Sequence, residues 1–330
     1  MLKKFYFFPQ KNLVVSIPLI LILGFIIGSQ FDILLPQPTI MLATIVMIYA
    51  TMIGFNIKEV FTLTQKRILG YSALINFIFI PLLAYIIGIT FLKNEPIMFA
   101  GLALAALLPT SGMTISWTGI SKGNLSAAVK LTVIGLIVGS LLTPWYLNAM
   151  VGQYVQINVL HTFRMIIMIV FVPMILGHFT FKALLKKYSA EQFKKVIKPN
   201  LQPLSIWAML LIVFASISMR AQMIIDNLYL IALALVILIF FYLINFLVST
   251  IVAIKAFNRE DGIALVYGTV LRNLSIAIGL AATAFGAEAA LLVTLAFIVQ
   301  QQGVVIYNKL AQKYWFKEVV QEEPKQSNLA

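Results

Sequence analysis

Apolar residues in this chain run on in long unbroken blocks, and the polar residues gather between the blocks rather than alternating with them. A membrane-crossing helix needs about 20 apolar residues, and continuous runs of that kind predict helices rather than the alternating strands of an outer-membrane barrel. The pattern predicts ten spans: roughly Asn12 to Ser29, Pro38 to Phe55, Ile68 to Leu92, Ile97 to Ser121, Leu125 to Val151, Leu160 to Leu184, Leu204 to Arg220, Leu228 to Phe257, Gly262 to Phe285 and Ala287 to Leu310. The fold class expected is an all-α polytopic membrane protein.

Two of the ten blocks are interrupted. Pro109 to Asn124 reads PTSGMTISWTGISKGN, where proline removes a backbone donor and Thr110, Ser111 and Gly112 favour an unwound segment. Val270 to Gly286 reads VLRNLSIAIGLAATAFG, with Arg272, Asn273 and Ser275 where a spanning helix is normally apolar. Pro109 to Arg272 and Gly123 to Gly286 share one offset, 163 residues, about half the chain. Paired interruptions at corresponding places in two halves point to the midplane binding site of a secondary transporter, because stranded backbone groups are tolerated in a bilayer only where protein or a watery cavity meets them.

Composition narrows this further. Of 330 residues, 61% are hydrophobic and 11% charged, with a mean hydropathy of +0.99, which excludes an ordinary soluble domain. The formal net charge of +13 traces to basic loops, so nucleic acid is not expected as a partner; the lipid bilayer is. The absence of cysteine excludes disulfides and thiolate metal sites, and no metal or other cofactor is expected. Met1 to Gly28 has the basic start and apolar core of a signal peptide, but the equally apolar runs that follow favour an uncleaved first span.

Basic residues outside the spans order the topology. Lys3, Lys4, Lys11, Lys58, Lys66, Arg67, Lys122, Lys186, Lys187, Lys194, Lys195, Lys198, Arg259, Lys313, Lys317 and Lys325 all fall on one side, and only Lys93 and Arg220 on the other. Both termini are therefore expected in the cytoplasm, in a cytoplasmic (inner) membrane. Five spans per half is an odd number, so the halves are expected to form inverted repeats: repeat one to about residue 151 and repeat two over 152–315. The sixth span ends near 185, a polar linker covers 186–202, and 316–330 is a cytoplasmic tail.

Ionisable residues at depth mark function by default. All eleven acidic residues fall in loops, in the tail or near span ends, so the interior is cationic, through Lys130, Arg164 and Arg272. Arg272 either attracts an anion or satisfies carbonyls freed by the break; Lys130 either flanks the same place or snorkels to water. Arg164 reads as an interfacial anchor, and His161 and His178 as interfacial residues without metal-ligand spacing. Thr110, Ser111, Thr114, Ser116 and Thr118 offer hydroxyls to a ligand or to neighbouring helices, and Gln300, Gln301, Gln302 and Asn76 are amides too polar to face lipid. The candidate substrate site is Thr110, Ser111, Thr114, Lys130, Arg272, Asn273 and Ser275. No acidic pair, HExxH or Ser-His arrangement lies in the spans, so an enzyme is not expected; a passive channel would also accommodate broken helices.

At these residues the chain resembles the superfamily joining bile acid:sodium symporters with arsenite-efflux transporters, on the stretches PTSGMTISWTGISKGN and VLRNLSIAIGLA. The resemblance implies a panel and a core domain in which spans four and nine are unwound and cross, with substrate and ions at the crossing and alternating access between the domains. The positions matching the symporters' two sodium sites read Asn76, Thr114, Ile115, Ala128, Thr132, Gly268 and Arg272, with Thr269 beside them. The carboxylate of that pattern is replaced by Gly268 and an amide by the guanidinium of Arg272, a fixed cation that can substitute for sodium. The turn after Trp117 is similar to the arsenite branch, whose cysteine and glutamate fall at Thr110 and Asn273 here. The expected function is secondary-active transport of a small, bile-acid-like organic anion, with protons or sodium as candidate coupling ions and metalloid efflux as the alternative.

Overall fold

The computed structural model describes residues 2–31, 33, 35–54, 65–219, 221–226 and 228–316. Lys58, Arg220, Lys317, Lys325, the acidic residues Asp32, Glu59, Glu318, Glu322 and Glu323, and the tail beyond Phe316 lie outside the described residues. The described residues form helices α1 (Leu2–Lys11), α2 (Leu13–Gln30), α3 (Gln37–Met52), α4 (Lys66–Phe91), α5 (Pro96–Leu107), α6 (Gly112–Ile120), α7 (Leu125–Val151), α8 (Val159–Leu185), α9 (Ala190–Ser218), α10 (Ala221–Asp226), α11 (Leu228–Ala256), α12 (Arg259–Val270), α13 (Leu274–Ala284) and α14 (Ala287–Tyr314). Among them there is no strand, and one isolated antiparallel bridge pairs Pro109 with Arg272.

Six helices, α4, α7, α8, α9, α11 and α14, are long and apolar enough to cross a membrane by themselves; α1 with α2, bent by 104° between them, makes a seventh candidate. Pro38–Met52, Pro96–Leu107 and Leu274–Ala284 are shorter apolar helices. The fourth and ninth predicted spans are thus each two short helices: α5 and α6 around residues 108–111, and α12 and α13 around 271–273.

Asparagine and serine set the starts. Asn124, Asn158, Asn258 and Asn273 each accept a first-turn backbone N–H through the side chain, and Ser111 and Ser189 form capping boxes with Thr114 and Gln192. The Ser189 box corrects the expected linker: the chain is helical from Ala190 onward, continuous with α9, and only 186–189 remains a turn. Proline did not end that helix, for a reason repeated three times. Each of α4, α8 and α9 carries a five-residue π turn, Ile75–Phe79, Ile167–Phe171 and Phe193–Ile197, followed by Pro81, Pro173 and Pro199. A proline ring crowds the carbonyl four residues back and brings no N–H, and the wider turn relieves both. In α4 the freed Phe77 carbonyl accepts the Tyr146 hydroxyl of α7.

The helices pack in two groups. α9 lies on α2 and α3, and α8 lies on α3; separately, α5 lies on α4, α7 and α14, while α12 lies on α6, α7 and α11. The groups meet where α13 touches α3, α8 and α9 and α14 touches α2 and α9. Small residues permit the closest approaches: a Cβ on Gly101 of α5 would stand 2.7 Å from the Ala289 carbonyl oxygen of α14.

Candidate functional site

The two breaks face each other. Besides the Pro109–Arg272 bridge, the Asn273 N–H donates to the Leu108 carbonyl at 2.8 Å. At the first break Thr110 holds φ +59°, a left-handed conformation that a β-branched residue adopts only when its surroundings enforce it. Its hydroxyl lies within hydrogen-bond distance of the Pro109, Leu131 and Thr132 carbonyls. Helix α7 presents Gly135 and Gly139 to this segment; a Cβ there would come within 2.7 Å of Thr110 Oγ1 and 2.5 Å of Pro109 Cδ. That pair of glycines, four residues apart, is a small-residue packing signal carried by the sequence itself.

Every helix leaves its last carbonyls without an intrahelical donor, and in a membrane interior those carbonyls need partners. At the end of α12 the partners are side chains. The Tyr267 carbonyl accepts from Thr114 Oγ1 (3.2 Å), the Gly268 carbonyl from Asn76 Nδ2 (3.0 Å) and the Thr269 carbonyl from Arg272 Nη1 (3.1 Å). At the end of α5, Arg272 Nε donates to the Ala105 carbonyl at 3.4 Å and Nη2 to the Ala106 carbonyl. Nη1 also donates to Asn76 Oδ1. These contacts use four of the five guanidinium N–H groups, and Arg272 is 1% exposed. Of the two roles open to it from sequence, the geometry is that of the carbonyl cap: one cation closes the C-terminal ends of two half-helices.

The backbone of Arg272 is held separately. Gln300 Oε1 accepts its N–H at 2.7 Å, Gln300 Nε2 reaches its carbonyl at 3.4 Å, and the Tyr242 hydroxyl donates to the same Oε1 at 3.1 Å. Tyr242 sits in a continuous apolar run and gave no sequence signal. Three residues on, Asn245 is fully buried, and neither amide atom has a hydrogen-bond partner among the described residues.

The candidate substrate residues separate by depth. Thr110, Thr114 and Arg272 are buried, whereas Ser111, Asn273 and Ser275 are half-exposed at the N-terminal ends of α6 and α13. Ser275 Oγ lies 3.6 Å from Met209 Sδ of α9, across the boundary between the helix groups. Lys130 is buried, 4% exposed, on α7 immediately before Leu131, so it does not reach bulk water as a snorkelling residue would. Arg164 and His161 are exposed. Gln300 and Gln301 are buried and Gln302 exposed; Gln301 Nε2 lies 2.9 Å from Met113 Sδ.

Several of the positions matched to sodium ligands make bonds or contacts of their own. Thr132 returns its hydroxyl to the Ala128 carbonyl of its own helix at 2.7 Å, and Thr269 bonds Ser249 Oγ at 2.8 Å. At Gly268 a Cβ would meet Leu131 Cδ1 at 2.6 Å, so leucine fills the space toward which a longer side chain would grow. Asn76 joins Gly268, whose carbonyl accepts from its Nδ2, and Asn76 Oδ1 and the Thr269 carbonyl meet on Arg272 Nη1. Among the described residues no group of three His, Cys, Asp or Glu side chains could hold a metal ion.

The model of the Sodium Bile acid symporter family matches residues 39–227, more than half of the chain. The chain belongs to this family. The match covers the first break and stops before the second. Relatives include an uncharacterized protein, YbaS, of Bacillus subtilis (23% identical, covering 74% of this chain and 79% of the relative) and the arsenical-resistance protein Acr3 of Corynebacterium glutamicum (19%, covering 69% and 64%). A third is a probable sodium/metabolite cotransporter, BASS1, chloroplastic, of Arabidopsis thaliana (24%, covering 56% of this chain and 44% of the relative). Family membership and the apolar helices together make the protein a multi-pass membrane transporter.

Proposed function

We propose that the protein is a secondary-active transporter of a small organic anion, bile-acid-like in class, working by alternating access and without sodium. The observation that carries this is the pairing of two breaks, each of which begins a half-helix, α6 and α13, backed by a buried guanidinium. Helix N-termini carry partial positive charge and unpaired N–H groups, which suit an anion. Ser111, Asn273 and Ser275 are the groups of this site within reach of a ligand, with Thr110, Thr114 and Arg272 behind them and Lys130 adding charge from α7. In this reading the ten apolar segments form two inverted five-helix repeats in the cytoplasmic (inner) membrane, with both termini in the cytoplasm. Spans four and nine, α5/α6 and α12/α13, cross at the site, and the α2, α3, α8, α9 group is the panel.

Sodium is left out because Arg272 already supplies a positive charge to Asn76 Oδ1 and the Thr269 carbonyl, oxygens of the kind a sodium ion would need. Coupling to protons or simple exchange remains. Metalloid efflux, the activity in the printed name of the Corynebacterium relative, lacks its softest ligand here, since the chain has no cysteine.

Counterflow in proteoliposomes tests the reading. Purified protein is reconstituted with labelled bile acids, small carboxylates, sulfonates or arsenite, each with and without sodium. One-for-one exchange of an organic anion at equal rates in both salts is the expected result. Exchange only with sodium, or of arsenite alone, would replace it.

A further inference from the structure

Far from the breaks, α1 turns through 104° from α2 and lies along α9 between Asn200 and Trp207. It is fixed there by three contacts: the Tyr6 hydroxyl donates to the Asn200 carbonyl at 2.8 Å, Gln10 Nε2 to Gln202 Oε1 at 2.9 Å, and Trp207 Nε1 to the Tyr6 carbonyl at 3.1 Å. Phe5 packs on Trp207 at 4.9 Å between centroids. With Tyr6, Pro9 and Gln10 turned inward, the opposite face carries Lys4, Phe8 and Lys11, one helical stripe, with Phe5 at its edge. Phe5 and Phe8 are 65% and 47% exposed, and Lys4 and Lys11 are exposed beside them.

Lysines beside exposed aromatic rings on a helix lying across the end of a membrane span suit the interface, where rings sit at the acyl boundary and lysine ammonium groups snorkel to headgroups. The N-terminal part of the same α9 and the turn before it are basic as well. The turn before α9 brings exposed Lys186 and Lys187, and the first turns of α9 bring Lys195 and Lys198; the acid among them, Glu191, is paired with Lys195 at 2.6 Å. We infer that α1 and the 186–189 turn form a binding surface for anionic phospholipid headgroups of the leaflet on that side. Lys4, Lys11, Lys186 and Lys187 meet the phosphates, and Phe5 and Phe8 enter the acyl boundary. The surface rests on α9, the helix whose Met209 meets Ser275 at the second break.

The test uses the full chain in nanodiscs of phosphatidylcholine alone or with phosphatidylglycerol, read by the midpoint of thermal unfolding. The wild type is expected to melt higher with phosphatidylglycerol. The Lys4→Gln, Lys11→Gln, Lys186→Gln, Lys187→Gln variant is expected to lose most of that difference while keeping its midpoint in phosphatidylcholine. About 1 M salt, where the Debye length falls to about 3 Å, should erase the difference as well. If the fourfold variant does not fold, Lys4→Gln with Lys11→Gln alone should lose a measurable part of it. Equal midpoints in the two lipids for the wild type, or an undiminished difference in the variants, would overturn the proposal. A rise produced by inorganic phosphate in phosphatidylcholine discs would overturn it too, by assigning the site to a free anion. None of these readouts depends on transport.

Discussion

The break at 108–111 contains Pro109, which has no N–H, and Thr110, held at a strained φ; the break at 271–273 contains Arg272 and Asn273, which bring donors to both. The first is a place where the backbone lacks donors and the packing is tight, with Gly135 and Gly139 against it. The second is held by side chains, through Gln300 on its backbone and the guanidinium across its carbonyls. The two facing interruptions thus share their polar satisfaction unequally, with one residue supplying most of the side-chain donors, and substitutions on the two sides should fail differently.

The largest effect is expected at Arg272. Arg272→Ala leaves the Ala105, Ala106 and Thr269 carbonyls and Asn76 Oδ1 without that donor, and each buried group so abandoned costs about 1–3 kcal/mol. The midpoint of unfolding in detergent should fall sharply. The sharper readout is the ion dependence, since four oxygens freed together are a ready cage for a monovalent cation. Sodium or potassium should raise the midpoint of the alanine variant more than that of the wild type, by mass action on the folded state. An equal response in both proteins would show that Arg272 does not stand in a cation's place.

At the first break the expected failure is crowding. Gly135→Ala and Gly139→Ala each push a methyl against Thr110 or Pro109 and should cost about 1–3 kcal/mol, because the contacts are with backbone or with a side chain that the strained φ holds in place. Gly70→Ala in α4 meets nothing within 4 Å among the described residues and should be neutral or stabilise by up to about 1 kcal/mol through helix propensity. Thermal midpoints of the three variants, measured side by side, separate packing from propensity.

Both breaks were legible as interruptions because proline, hydroxyls and a lone arginine are foreign to an apolar run. What each contacts was not. The acceptors of Arg272 are mostly backbone carbonyls, and nothing in the side chains at 105, 106 or 269 advertises a free carbonyl. Spacing alone likewise left capping and anion binding open for Arg272, and only burial with four bonds favours the cap. The start of α9 was written in Ser189 and Gln192, yet the lysines and Pro199 of that stretch suggest a solvated linker, and the π turn that admits the proline has no sequence signature of its own. Helix α1 was missed because ten residues ending in a polar pair fall short of any span.

The substitutions that isolate hydrogen bonding from size involve the partner of Tyr242 and its helix neighbour Asn245. Gln300→Leu removes the acceptor of the Arg272 N–H and of the Tyr242 hydroxyl, so it should lose about 1–3 kcal/mol, and Tyr242→Phe added to it should lose less than it does alone, since its partner has already gone. Asn245→Leu exchanges a buried amide without hydrogen-bond partners among the described residues for an apolar chain of similar volume, and by the same principle should leave the midpoint unchanged or raise it. If the two leucine variants lose equal stability, the cost is one of shape and the second break is held by packing, as the first is. If only Gln300→Leu is destabilised, the second break depends on its hydrogen bonds, and Arg272 keeps its place because its backbone is paired before its guanidinium is.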